Sequence, residues 1–342
     1  MKNLKLTIFS VIFLAFSALT SCTKEGITVP VVVPVPPTPP APPAAATNAV
    51  YYVDSAKIYS TSLTGTNRRL VVGIDTLSPN SFIGSLVRSN DGNKLYFLHY
   101  TSGGTQVIKL YGVNKDGTGL TMLKNMPAGG SEYVLLKQTS DTKIVFTQLA
   151  FTPPSSFVTT LQTINADGTN QATAITLPAG SPYISRLSAT FNRYATVESV
   201  AGTTLNTLKT GSVTGTTLGT PVVVGDVLSS NATGLSSDGT KIAYAKLNAA
   251  GRIEIYVYDV ATAASQLKFT HTVNASIPLI SSYGVSVRWV AGTDKILLGY
   301  GKFTSPSGSA SDFTQLTLYT LSNSAELTWR FEGDEIYNVV TE

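Results

Sequence analysis

A short phrase that recurs along the chain constrains its fold more than any other feature of the sequence. It reads Ser-Asn-Asp-Gly-Asn-Lys-Leu-Tyr at 89–96 and Ser-Ser-Asp-Gly-Thr-Lys-Ile-Ala-Tyr at 236–244, with shorter versions at 140–145 and 292–298. Its Asp, or the Asn that replaces it, recurs at steps of 50, 51, 46 and 56 residues, at Asp91, Asp141, Asn192, Asp238 and Asp294. Units of roughly 40–50 residues are typical of the four-stranded blades of β-propellers.

Each repeat has the composition of an all-β unit. Short runs rich in β-branched and aromatic residues alternate with Gly, Asn, Asp and Ser, and almost nothing after residue 48 resembles a helix. The clearest copy predicts an inner strand over 227–235, an Asp-Gly turn, and further strands over 241–246, 253–260 and 266–270. Because Asp and Gly both tolerate positive φ, we interpret the recurring Asp as a turn former.

The two ends of the repeat region are predicted to complete one blade together. Residues 82–124, 131–177, 183–224, 227–271 and 283–332 each supply four strands, whereas residues 49–72 offer only three. An unpaired strand remains over 335–342, and joining it to the first blade would close the ring. The sequence therefore predicts an all-β, six-bladed β-propeller over residues 49–342, with the N- and C-terminal strands in one blade.

The repeat also carries a family resemblance. The phrase at 236–244, followed by Ile-Tyr-Val-Tyr-Asp at 255–259, closely resembles the WD40-like repeats of TolB-like six-bladed propellers. The resemblance is strong at 236–260 and faint at 184–224, where Thr-Phe-Asn-Arg replaces the Asp-Gly turn. It implies a protein-binding scaffold of the bacterial envelope. Some TolB-like propellers are oligosaccharide lyases with a histidine cluster and a metal in the channel, which His99 and His271 alone cannot rebuild.

The N-terminus is typical of an exported lipoprotein. Residues 1–21 combine Lys2 and Lys5 with an apolar run over 6–19, as in a signal peptide. Leu-Thr-Ser-Cys at 19–22 resembles the lipobox of bacterial lipoproteins, and Cys22, the only cysteine, matches the lipidated position. The alternative is a stray cysteine after an ordinary cleavable signal. We expect the lipid to hold the mature protein at the outer membrane, on its periplasmic or cell-surface face.

The segment over residues 22–48 is predicted to be a stalk. It carries eight prolines between residues 30 and 43, separated mainly by Val and Ala. Such a composition favours an extended polyproline conformation and cannot pack a core. The alternative interpretation is a ligand for an aromatic groove of another protein.

Charge excludes one class of partner. The chain has 24 Lys and Arg residues against 20 Asp and Glu, and only 13% of its residues are charged. No basic cluster accompanies this near balance, so we exclude nucleic-acid binding.

No catalytic, cofactor or metal site is predicted. With one cysteine and two histidines, no zinc site can be written, and the chain has no Gly-x-Ser-x-Gly nucleophile elbow. We therefore expect a protein that is not an enzyme and needs no cofactor.

Binding is expected at the central channel, which inner strands of a propeller line. The candidate residues are those placed on or near inner strands by the repeat, namely Arg88, Lys137, Arg186, Arg288 and Trp289. Positive charge there favours an anionic ligand. The alternative places these cations in grooves between blades, paired with acidic residues, and places Trp289 in the core.

Two three-residue sequences concern modification. Asp-Ser-Ala at 54–56 and Asp-Thr-Leu at 75–77 resemble the O-glycosylation motif of exported Bacteroidota proteins, which makes Ser55 and Thr76 candidate sites. Taken together, the sequence predicts a monomeric, membrane-anchored scaffold that binds an envelope protein. The alternative is a surface lipoprotein that binds, or less readily cleaves, a carbohydrate.

Overall fold

All secondary structure in the described part of the chain is β-strand. The computed structural model describes residues 49–54, 57–73, 81–101, 107–127, 131–138, 142–152, 156–177, 184–200, 206–271, 285–290, 293–303, 311–332 and 336–341. Within these ranges no helix is long and apolar enough to span a membrane. The predictions for Cys22, for the stalk over 22–48 and for Ser55 and Thr76 lie outside them.

The first three sheets come from the two ends and the first half of the propeller. Blade 1 consists of β1 (Ala49–Asp54), β2 (Lys57–Ser62), β3 (Arg69–Gly73) and β25 (Ile336–Thr341). Blade 2 consists of β4 (Ser81–Arg88), β5 (Lys94–Thr101), β6 (Val107–Asn114) and β7 (Thr121–Met126). Blade 3 consists of β8 (Ser131–Gln138), β9 (Lys143–Thr152), β10 (Ser156–Asn165) and β11 (Ala172–Thr176).

The remaining sheets follow in chain order. Blade 4 consists of β12 (Ile184–Leu187), β13 (Arg193–Ser199), β14 (Asn206–Thr214), β15 (Thr217–Leu218) and β16 (Val222–Val227). Blade 5 consists of β17 (Thr233–Leu235), β18 (Lys241–Leu247), β19 (Ile253–Asp259) and β20 (Ala264–His271). Blade 6 consists of β21 (Val285–Trp289), β22 (Lys295–Phe303), β23 (Ser311–Thr320) and β24 (Ala325–Glu332).

Blades 4 and 5 differ in detail from the predicted plan. Blade 4 has a fifth, two-residue strand, β15, which pairs with the end of β14. The inner strand of blade 5 was predicted over 227–235, but this is wrong for its first half. Val227 ends the outer strand of blade 4, and a turn closed by the Ala232 N–H donating to the Ser229 carbonyl, at 3.1 Å, separates it from β17.

The ring closes as predicted. Strand β25 pairs antiparallel with β1, with Val50 opposite Thr341 and Tyr52 opposite Val339. The inner strands β25, β4, β8, β12, β17 and β21 each contact the inner strand of the next blade, and β21 contacts β25. The result is a six-bladed propeller whose inner strands surround a central channel.

Apolar side chains fill the grooves between blades. Leu95 and Phe97 of β5 pack with Val53 of blade 1, whereas Leu98 on the opposite face packs towards Tyr133 of blade 3. Successive side chains of a strand point to opposite faces, so one strand fills two grooves. Each fully buried side chain of this size stabilises the fold by roughly 1.5–3 kcal/mol.

The recurring Asp forms the turn in blades 2 and 5, as interpreted from the sequence. The interpretation is wrong for Asp294, which accepts a hydrogen bond from the distant Ser322 N–H at 3.1 Å, and Asp141 lies outside the described residues. The Asp238 carboxylate accepts hydrogen bonds from the Ser236 hydroxyl at 2.7 Å and from the Thr240 N–H at 3.0 Å. Asp91 accepts equivalent bonds from Ser89 and Asn93. These bonds lower the pKa of both carboxyl groups. The turns join inner strands to second strands at one end of the channel.

The outer strands of five blades share a bulge. In blades 1 to 5 the pairing between the third and the outer strand shifts at one equivalent position, which leaves an extra residue in the outer strand. These residues are Val71, Leu123, Ala174, Val224 and Lys268. Blade 6 has no such shift. Its strands β23 and β24 pair without interruption, from Phe313 opposite Glu332 to Thr320 opposite Ala325.

Two of the bulges receive a glycine from the next blade. A Cβ on Gly117, at φ 89°, would lie 2.3 Å from the Val71 carbonyl oxygen. A Cβ on Gly168, at φ 85°, would lie 2.2 Å from the Leu123 carbonyl oxygen. Both positions therefore require glycine, for backbone conformation and for space.

Candidate functional site

The strand register places three cations at one level of the inner ring. Arg186 lies opposite Ala195, Arg288 opposite Leu297 and Lys137 opposite Val145, each two residues before the turn. Val87 and Gly234 hold the same position in blades 2 and 5, opposite Tyr96 and Ala243. Arg88 and Trp289 lie one residue later, directly before their turns, and so project to the other face of their blades.

Arg186 and Arg288 approach the inner strand of blade 5 from the two neighbouring blades. The Arg186 Nε donates to the Thr233 carbonyl at 2.9 Å, and its Nη1 to the Ser185 carbonyl at 2.6 Å. The Arg288 Nη1 donates to the Asn231 carbonyl at 3.0 Å and to the Val287 carbonyl at 2.9 Å. Two guanidinium groups are thus held by blade 5, one against its inner strand and the other against the turn that precedes this strand.

Gly234 makes this arrangement possible. It stands between the two arginines at the same level, and a Cβ there would lie 3.0 Å from the Trp289 nitrogen and 3.2 Å from the Arg288 Cα. Glycine therefore lets the inner strands of blades 5 and 6 approach closely.

The electrostatics of the pair favour an anion. Burial lowers the pKa of Arg288 well below its usual range, and the positive charge of Arg186 lowers it further. The hydrogen-bond partners given above are main-chain carbonyl groups, which orient a guanidinium without neutralising its charge. A carboxylate or another planar anion between the two groups would relieve their repulsion and match the fork of donors that each presents.

The other candidate residues have different surroundings. The Arg88 Nε lies 3.4 Å from the Ser89 carbonyl, and its guanidinium covers the turn at Gly92. The Trp289 indole N–H donates to the Thr293 carbonyl at 3.1 Å, and the ring packs against the core shared by blades 5 and 6. Lys137 has the right position on β8, but its side chain lies outside the described part of the structure.

Two buried histidines contrast with each other. The His271 Nδ1 lies 2.5 Å from the Tyr319 hydroxyl and its Nε2 lies 3.1 Å from the Tyr300 hydroxyl, which links blade 5 to blade 6. His99 in blade 2 is fully buried, and neither ring nitrogen has a hydrogen-bond partner among the described residues. Burial lowers the pKa of both rings.

Neither histidine belongs to a metal site in the described structure. Within those residues no group of three or more His, Cys, Asp or Glu side chains is placed to hold a metal ion. The cluster of His271 with Tyr319 and Tyr300 was not predicted. Its members are 48 and 29 residues apart, and no local spacing signals such a contact between blades.

Comparison with known proteins identifies similar folds. No protein-family model matches the chain, and no curated protein matches it. Among solved structures, TolB from Acinetobacter baumannii has a TM-score of 0.57 at 11% identity, over 87% of this chain and 67% of that one. The chain shares the propeller fold of TolB.

Other similar structures belong to proteins with different names. A putative 6-phosphogluconolactonase from Bacteroides fragilis has a TM-score of 0.52 at 11% identity, over 88% of this chain and all of that one (100%). A chain of a nidogen/laminin complex has a TM-score of 0.54 at 12% identity, over 86% of this chain and 98% of that one. The same fold therefore occurs in a protein named as an enzyme and in a chain of a protein complex. Function must be argued from the site and not from the fold.

Proposed function

We propose that this protein is a lipid-anchored, non-catalytic propeller scaffold of the bacterial cell envelope, and that it binds an acidic segment of a protein partner. The observation that supports this most is the pair Arg186 and Arg288, whose guanidinium groups approach the inner strand of blade 5 from both sides. The side chains of an acidic segment, Asp or Glu, carry the carboxylates that two such groups bind best.

Binding suits this pair better than catalysis. The hydrogen bonds given above for both guanidinium groups are accepted by backbone carbonyl oxygens, which supply neither a nucleophile nor a general base. What the pair offers is positive charge and several N–H donors on a rigid ring of strands. Those are the properties of a recognition site for an anion.

The site is tested by titrating the purified protein with an acidic peptide and with a neutral peptide of the same length. Arg186→Gln and Arg288→Gln should each weaken binding of the acidic peptide about tenfold or more, because each removes a charge-assisted hydrogen bond. Arg252→Gln is the matched control, since Arg252 is exposed in a hairpin turn. Equal losses in all three variants, or none in the first two, would contradict the proposal.

The carbohydrate alternative is resolved by the same proteins. Titration with an oligosaccharide of uronic acids tests whether the two arginines bind carboxylates on a sugar, and a neutral oligosaccharide tests sugar binding without them. Tight binding of a neutral sugar that Trp289→Ala abolishes would favour the carbohydrate-binding function. Crosslinking in cells, followed by co-purification with the wild type and with Arg288→Gln, would identify a protein partner that depends on the site.

The proposal includes two modifications. A lipid on Cys22 would hold the propeller at the outer membrane, on its periplasmic or cell-surface face, with residues 22–48 as a spacer. O-linked sugar on Ser55 or Thr76 would place the protein among exported glycoproteins of the Bacteroidota type. The intact mass of the protein from its native host shows whether a sugar is attached. A mass that equals that of the unglycosylated protein would contradict the proposed O-glycosylation.

A further inference from the structure

The outer edge of blade 6 differs from the outer edges of the other five blades. In the described structure β24 pairs with β23 over eight successive residues without a register shift. The outer strands of blades 1 to 5 each contain a bulge at one equivalent position. A regular edge strand presents a row of N–H and C=O groups that can pair with another strand.

Natural proteins usually protect such edges. Bulges, prolines, charged side chains (lysine above all) and short strands are the common means, and a bulge twists the edge away from a partner. The sequence of β24, Ala-Glu-Leu-Thr-Trp-Arg-Phe-Glu, contains neither proline nor lysine. Its first residues are accessible, since the Glu326 side chain is 49% exposed and Leu327 is 42% exposed. The strand thus has no bulge, proline or lysine, and its three charged residues, Glu326, Arg330 and Glu332, are of both signs and can pair with a second copy.

The order of residues along β24 is complementary to itself. If two copies pair antiparallel about Thr328, the residues that oppose each other have numbers that sum to 656. Glu326 then opposes Arg330 twice, Leu327 opposes Trp329 twice, and Thr328 opposes Thr328. In a sheet, opposed residues lie on the same face, so one face gains a charged ladder and the other an apolar ladder.

We propose that β24 pairs antiparallel with β24 of a second copy of this chain, in the register centred on Thr328. This goes beyond the proposed function, since it concerns the outer rim and not the channel. The pairing joins two blades into one continuous sheet of eight strands. A contact of one strand against one strand is small, so the dimer is weak and dissociates on dilution. It replaces the monomer expected from the sequence when the protein is concentrated.

Charge variants of the full-length chain test the pairing and its register. All proteins carry Cys22→Ser, which prevents lipid attachment, and association is followed by sedimentation velocity over a concentration series. In a dimer of Arg330→Glu, the two opposed pairs at positions 326 and 330 would consist of four acidic residues. In a dimer of Glu326→Arg, the same pairs would consist of four basic residues. Each variant should therefore be monomeric at concentrations where the wild type dimerises.

Mixing those two variants is the decisive measurement. In an equimolar mixture each Glu of one variant opposes an Arg of the other, so a heterodimer should form about as readily as the wild-type dimer. Lys268→Glu on the bulged strand β20 is the matched control and should dimerise normally. A wild type that stays monomeric throughout the series, or a mixture that associates no better than its components, would overturn the proposal.

A cysteine at the symmetry axis gives a second readout that does not depend on charge. Thr328→Cys in the Cys22→Ser background should form a disulfide-linked dimer under mild oxidation, because position 328 opposes itself. Leu327→Cys alone should crosslink far less, but should crosslink with Trp329→Cys. Circular dichroism of each variant establishes that it is folded. Equal crosslinking at 328 and at 268 in β20 would count against the register.

Discussion

Two histidines show how differently one residue type can be buried in the same ring. His271 places both ring nitrogens near tyrosine hydroxyls, whereas His99 has no hydrogen-bond partner among the described residues. A buried polar group without a partner destabilises a fold, and one with partners rigidifies it. The two residues should therefore respond in opposite ways to the same substitution.

We expect His99→Leu to stabilise the protein by about 1 kcal/mol, because it replaces an unsatisfied buried ring with an apolar side chain of similar volume. His271→Leu should destabilise it by about 1–3 kcal/mol, because the Tyr319 and Tyr300 hydroxyls lose the ring nitrogens that they contact. Urea unfolding of both variants beside the wild type measures the two changes. Destabilisation of similar size at both positions would contradict this contrast.

The same pair gives a dependence on pH. Burial lowers the pKa of both rings below the ordinary value of 6.5, so the unfolded chain takes up protons more readily than the folded one. The stability that the two neutral histidines contribute is fully present above pH 6.5. It is lost as the pH falls through the pKa values that the rings have in the folded protein. His99→Leu should therefore reduce the fall in stability between pH 7.5 and pH 5, measured by the same unfolding assay.

At the scale of elements, β25 is the strand on which the ring depends. It pairs with β1 and contacts the inner strands of blades 2 and 6. Deleting residues 335–342 should lower the midpoint of thermal unfolding by many degrees. Blade 1 would lose its inner strand, and the ring would lose the contacts of that strand with the blades on both sides. Differential scanning calorimetry measures the change.

Adding the missing strand separately provides the control for that deletion. A synthetic peptide of residues 333–342 should restore part of the lost stability, and a peptide of the same residues in scrambled order should not. An unchanged unfolding temperature after the deletion would mean that β25 does not close the ring.

Elements were predictable from the sequence where a local signal marks them. The Asp-Gly phrase fixed the turns at Asp91 and Asp238, and the leftover strand at the C-terminus predicted the partner of β1. The short strand β15 was not predicted, because it is only two residues long. The start of β17 was predicted wrongly although Ser229, Ser230 and Asn231 favour a turn, because the predicted strand over 227–235 included them.

The candidate site was predictable only in part for a related reason. Sequence spacing placed Arg88, Arg186 and Arg288 on inner strands, but Arg88 lies one residue closer to its turn. In a strand a shift of one residue moves a side chain to the opposite face. The approach of Arg186 and Arg288 also depends on Gly234, and its importance is visible only once blades 4, 5 and 6 are side by side.

At the scale of the whole molecule, location is the property that most needs measurement. We expect the protein expressed with its own N-terminus to fractionate with outer membranes and to carry a lipid on Cys22. Cys22→Ser should move it to the soluble fraction, because a signal peptide without the acceptor thiol provides no lipid. Mass spectrometry of the mature N-terminal peptide, together with membrane fractionation, checks both statements. Finding the wild-type protein in the soluble fraction would contradict the predicted lipid anchor.

The blade shared by β25 and β1 also ties the fold to the order of synthesis. Three strands of that blade are among the first residues of the propeller to be made, and the fourth, Ile336–Thr341, is among the last. Until it emerges, β1 has an open edge and the ring has a gap between blades 6 and 1. A product of interrupted translation therefore keeps exposed strand edges that proteases and chaperones can recognise, whereas the finished chain hides them.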